Sequence, residues 1–211
     1  MPRGFDLVPL SVFLAALGPL LRLVWLGAEG DGLGANPVEF VTRSTGTWAL
    51  VFLCLSLAMT PLRRLTSDGR WIRLRRMLGL YSFFYAVLHA VLWFWVEHGF
   101  EFEAMLQDVV KRPFIAAGMT AFVLLVPLAA TSMKAAIRRL GAHWQRLHRL
   151  VYVIAVAAIL HYWWHKAGKN DYAPVVPYAL VVAGLLGIRL WWALIDRWRR
   201  TRRLPVSRDG A

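Results

Sequence analysis

Residues 80–95 read LYSFFYAVLHAVLWFW, a run of sixteen in which His89 is the one side chain that titrates near neutral pH. A second run, LVYVIAVAAILHYWW at 150–164, carries His161 in the same kind of setting. Each run is apolar on all sides, which a surface helix with one wet face is not. With their flanks they reach the roughly 20 residues that a helix needs to cross a bilayer. An ionisable side chain inside hydrocarbon is costly unless it is partnered, so each histidine marks a site whose partner must be found. Neutral imidazole is also the commonest biological metal ligand.

Working outward, four more apolar stretches of spanning length appear, and the six lie near 8–27, 47–66, 77–97, 114–133, 150–166 and 174–195. Breaker-rich segments separate them: GAEGDGLGANP, TSDG, KRP, RRLG and HKAGKND. The chain has 211 residues, is 58% hydrophobic, holds eleven Trp and has a mean hydropathy of +0.49. These values describe an all-α membrane protein, one six-transmembrane-helix bundle, rather than a soluble domain. The single cysteine, Cys54, excludes a disulfide framework, a cysteine metal cluster and covalent haem attachment through CxxCH. A cleaved signal peptide is disfavoured by Asp6 and Arg22, which interrupt the N-terminal run.

The net charge of +13 does not indicate nucleic acid, because the basic residues sit between and after the apolar runs. The 61–76 segment holds six Lys or Arg, 132–149 holds five, and 189–211 holds seven, whereas the first loop has only Arg43. The positive-inside rule then puts the N and C termini and the basic loops in the cytoplasm. A multi-pass membrane protein whose basic segments can meet anionic lipid follows. The loop between the third and fourth spans is acidic (Glu97, Glu101, Glu103, Asp108) and, together with the loop between the first and second, would face outward as a docking surface.

His89 follows Arg76 by thirteen residues, and His161 follows Arg149 by twelve. At about 1.5 Å of rise per residue, both rings lie roughly 18–20 Å from the cytoplasmic edge. Two imidazoles at one depth on different helices suit the axial ligation of one non-covalent haem b. Tyr85, Trp93, Tyr162 and Trp163 are candidates to line such a slot. The competing reading is that each histidine only ties helices together by hydrogen bonds. His148, thirteen residues before His161, lacks a histidine partner at its own level, where helix three has Arg75 and Arg76. It is a lesser haem candidate. His98 and His165 read as interfacial, and His143 as solvated. No acidic residue lies centrally in the spans, which disfavours a proton-coupled channel or transporter.

The stretches 32–50 (GLGANPVEFVTRSTGTWAL), 60–65 (TPLRRL), 73–95, 111–122 (KRPFIAAGMTAF) and 131–164 occur in an order that resembles the MsrQ family, within the ferric-reductase-like transmembrane superfamily. The resemblance covers spans one to five, as one haem-binding domain over 1–200 followed by a basic tail at 201–211. It implies haem-associated histidines at His89, His148 and His161, and FMN as a second cofactor. It implies electron transfer from the quinone pool or a cytoplasmic flavin reductase to a periplasmic molybdenum-containing methionine sulfoxide reductase, where sulfoxide chemistry would reside. Arg75, Arg76, Arg138, Arg139 and Arg146 are candidates to hold a flavin phosphate or haem propionates. A ferric reductase, or the cytochrome b subunit of another periplasmic oxidoreductase, shares the histidine pattern and is the alternative.

Overall fold

In the computed structural model, which describes residues 7–168 and 170–201, the chain is helical throughout with no strand among the described residues. The helices are α1 (Leu7–Ala28), α2 (Pro37–Thr66), α3 (Arg70–Val91), α4 (Phe102–Lys111), α5 (Pro113–Ala130), α6 (Lys134–Leu140), α7 (Ala142–His148), α8 (Leu150–Ala167) and α9 (Val176–Thr201). A π-helical segment, Leu92–Glu97, continues α3. Six of the helical runs are long and apolar enough to cross a membrane. The basic tail expected at 201–211 lies, apart from Thr201, outside the described residues.

Local chemistry accounts for the boundaries. The second span was expected from residue 47, but α2 begins at Pro37. Asn36 Oδ1 accepts from the Glu39 amide as an N-cap, Pro37 occupies the first turn, and Glu39 and Arg43 pair at 2.6 Å one turn apart. The same helix ends at Ser67, which is left-handed with φ 57° and returns its N–H to Arg63 O. The next turn is tied by Asp68, whose carboxylate accepts from both the backbone and the guanidinium of Arg70. Those bonds hold its carboxyl below the usual range.

Packing divides the bundle into two principal helix pairs, α2 with α3 and α5 with α8, joined through α3–α5 and α2–α9 contacts. One core gathers Leu50, Leu53 and Leu57 of α2 with Leu125 of α5, Ile154 of α8 and Val182 of α9. The other joins Ala16 of α1 and Phe52 of α2 to Leu74, Tyr81 and Tyr85 of α3. Hydroxyls zip α2 to α3: Ser82 donates to Ala49 O at 2.9 Å and Ser56 to Arg75 O at 3.0 Å. In a membrane these bonds and close packing, not hydrophobic exclusion, hold helices together.

Two segments differ from expectation. The acidic link between the third and fourth spans is not an open loop, because residues 102–111 form α4. Within it Asp108 turns inward and lies 3.2 Å from both His98 and Arg112. The basic segment 132–149 is also helical, as α6 and α7 meeting at Gly141, which takes φ 51° where a side chain would be strained.

Candidate functional site

Each helix pair presents one histidine to the centre of the bundle, and it does so by the same construction. His89 of α3 lies against α2, where its Nδ1 is 2.9 Å from Thr42 O. His161 of α8 lies against α5, where its Nδ1 is 2.7 Å from Phe114 O. A carbonyl only accepts, so the proton belongs on Nδ1 and the lone pair on Nε2. Neutral imidazole with Nδ1 anchored to a carbonyl is the form in which histidine binds a metal through Nε2.

Four residues beyond each accepting carbonyl stands a glycine. A Cβ at Gly46 would fall 3.0 Å from His89 Nδ1 and Cε1, and one at Gly118 would fall 2.6 Å from His161 Nδ1. Each ring therefore occupies a notch that a single methyl group would fill. The repeated unit is a carbonyl, three residues, then a glycine: Thr42 to Gly46 on α2 and Phe114 to Gly118 on α5. Residue-by-residue reading had passed over all four. The available signal was a lone glycine within each of two apolar helices, and both units lie in the quoted family-like stretches.

The two ring centroids are 6.0 Å apart with planes at 78°. An imidazole nitrogen binds a metal at about 2.0 Å and lies about 1.1 Å from its ring centroid, so rings on opposite sides of one metal have centroids about 6 Å apart. The separation fits a single ion held between them. Among the described residues no group of three or more His, Cys, Asp or Glu could hold a metal. Two imidazoles would be enough to hold a porphyrin iron, whose remaining ligands come from the macrocycle. Thr42, whose carbonyl meets His89, has a buried hydroxyl Oγ1 with no protein partner, and so has Trp93 Nε1 one turn beyond His89 in the chain. Such orphans are what a bound polar group would satisfy.

His148 is not part of this centre. The helical run breaks between α7 and α8 at Arg149, and His148 stacks on Trp144 at 4.0 Å with its Nε2 3.1 Å from Thr131 Oγ1. Tyr85, expected to line the slot, points the other way. It is fully buried against α1, where its hydroxyl donates to Ala16 O at 2.9 Å and accepts from Leu20 N at 3.1 Å. The hydroxyl needs a buried partner, and α1 offers one beside Pro19, where the helix ladder is already interrupted. Trp163 packs on Tyr172 and Tyr162 near Tyr178, whereas Trp93 stays close to His98. His165 lies near Phe114, next to the second notch.

At the opposite end of α3, Arg76 lines an open groove of about 470 Å³ with Arg73, Phe13, Leu17, Tyr81 and Phe84. Of the other basic candidates, Arg138, Arg139 and Arg146 are exposed.

Residues 45–159 match a family model described as the ferric reductase like transmembrane component. The chain is 59% identical over 207 residues to the protein-methionine-sulfoxide reductase heme-binding subunit MsrQ of Ralstonia nicotianae, covering 98% of this chain and 93% of that one. The subunit of the same name from Herminiimonas arsenicoxydans is 55% identical, over 91% of this chain and 88% of its own. That from Bordetella pertussis is 57% identical, over 90% and 93%.

Proposed function

The chain belongs to the MsrQ family of haem-binding subunits, and from that premise we propose that it is a b-type cytochrome of the bacterial inner membrane. In this reading it passes electrons from a donor on the side of the basic loops to a methionine sulfoxide reductase subunit on the other. The observation that carries the reading is the histidine pair, 6.0 Å apart, each ring with its Nδ1 on a helix carbonyl. His89 and His161 would hold haem iron through Nε2, and bound haem supplies a one-electron iron couple.

The chain's own contribution is positional. Thr42 O and Phe114 O fix the Nδ1–H tautomer and the orientation of both rings, leaving each Nε2 lone pair available to a metal. The apolar helices exclude water from the pair. If His89 and His161 both held the haem iron, the group would supply electron transfer rather than oxygen activation. The unpartnered Thr42 Oγ1 would be available to hydrogen-bond a polar group bound beside His89.

The partner is proposed as a soluble periplasmic molybdenum enzyme that reduces methionine sulfoxide in oxidised envelope proteins. The donor is the quinone pool or a cytoplasmic flavin reductase. For FMN, the α1–α3 groove offers the fitting chemistry: Arg73 and Arg76 for a phosphate, and Phe13, Tyr81 and Phe84 for a flat apolar ring.

The test is the absorption spectrum of the purified protein, air-oxidised and then reduced with dithionite. A reducible b-type haem band is expected at about one haem per chain. A protein that carries no such band, after expression with haem supplied, overturns the proposal.

A further inference from the structure

The helix α4 has three faces, and each meets a different environment. Taking Phe102 as the origin, at about 100° per residue, Phe102, Leu106 and Val110 occupy roughly 0–80°. Glu103, Gln107 and Lys111 follow at roughly 100–180°, and Ala104, Asp108, Met105 and Val109 fill roughly 200–340°. The last sector faces the bundle, with Met105 buried and the Asp108 side chain held by His98 and Arg112. The polar sector is exposed. The first sector is exposed as well, although it is wholly apolar: Phe102 is 76%, Leu106 54% and Val110 77% accessible. A helix buried on one side and wet on the other has no use for such a stripe.

We infer that α4 lies along the membrane surface opposite the basic loops, with its Phe102–Leu106–Val110 stripe sunk among the lipid chains. Chain direction sets the side, because α3 leaves the arginine-rich turn at 63–76 and α4 follows its far end. Continuity sets the occupant. Exposed apolar side chains of the spanning run, Trp95, Val96 and Phe100, continue along the chain to the stripe, interspersed with exposed Glu97 and Glu101. Trp95 is a residue type enriched at the boundary between lipid and water. The polar sector carries one Glu and one Lys, so it has no net field to draw a charged soluble protein over the stripe. The geometry is that of an amphipathic helix lying in the interface plane, with a third face used to grip its own bundle.

This arrangement does not depend on haem. By holding α4 at the interface, the lipid would also fix Asp108 against His98 and so brace the outer end of the helix that carries His89. It is tested with variants that each add one cysteine at positions 101–111, nitroxide-labelled, in the otherwise intact protein reconstituted into phosphatidylethanolamine–phosphatidylglycerol nanodiscs, with unsubstituted protein as the labelling control. Cys54 is buried and stays in place. Labels at 102, 106 and 110 should collide freely with oxygen and poorly with a water-soluble nickel chelate. Labels at 103, 107 and 111 should do the reverse. Equal nickel accessibility in both sets would overturn the inference. So would a stripe that the chelate reaches in nanodiscs but not after the soluble reductase subunit is added, since that subunit would then be its occupant. A second measurement guards against a misfolded variant: in unlabelled protein, α4 amides should exchange more slowly in nanodiscs than in a short-chain detergent. No difference would count against the inference.

Discussion

Gly118 is the position at which one added methyl group has the largest expected consequence. Its Cβ would meet His161 Nδ1 at 2.6 Å, closer than atoms approach, whereas Gly46 offers His89 3.0 Å. Gly118→Ala should therefore displace the ring from Phe114 O and weaken haem binding by about 10- to 100-fold, the usual cost of losing an outer-shell support. Gly46→Ala should have a smaller effect in the same direction, and Gly184→Ala, with open space around it, none. Haem-to-protein ratio and the low-spin ferric resonance of each variant check this. Separately, His89→Ala and His161→Ala should each abolish haem while His98→Ala retains it. Haem kept in both of the first two would refute the ligand assignment. Haem lost there but unchanged in Gly118→Ala would refute only the notch. The histidines themselves stood out in the sequence because an imidazole in an apolar run is costly without a partner. Their carbonyl partners did not, because every helix residue offers a carbonyl, and only packing selects Thr42 and Phe114.

Among the elements, α2 shows how far local rules reach. The pattern Asn36-Pro37 with Glu39 is a helix start by capping chemistry alone, yet hydropathy placed the boundary at residue 47, where the apolar run begins. Hydropathy reports where lipid begins, and capping reports where the helix does. Asn36→Ala should cost about 1 kcal/mol at that end. The measurable result is faster amide exchange at Glu39 and Phe40, without loss of haem. Tyr85 makes the complementary point, since its neighbourhood on α3 suggested the slot and its hydroxyl chose α1. Tyr85→Phe should release the link to Ala16 and Leu20 at a cost of about 0.6 kcal/mol, the mean for such bonds in membranes. Exchange in α1 should rise while the haem spectrum stays unchanged. A shifted spectrum would return Tyr85 to the slot.

For the molecule as a whole, the charge distribution makes a topological prediction. Reporters fused after Ala211 or inserted at Gly69 should be active in the cytoplasm, and one inserted at Gly34 should be active outside. An inverted pattern would reverse the proposed direction of electron flow. Six spans, the concentration of 18 of the 25 Lys and Arg in three segments and the candidacy of His89 and His161 are all properties of residues read in order. Hydropathy, charge and helix period act over one or two turns, and so the sequence by itself determined them. That α2 pairs with α3 and α5 with α8, that each pair builds the same carbonyl-and-glycine notch, and that two rings seventy-two residues apart meet at 6.0 Å were decided only by the tertiary structure. The physical reason is that a ring-to-ring distance sums helix tilt, rotation and interhelical spacing. Those quantities depend on how closely small residues such as Gly46 and Gly118 let neighbouring side chains approach, and that closeness exists only once the helices are packed.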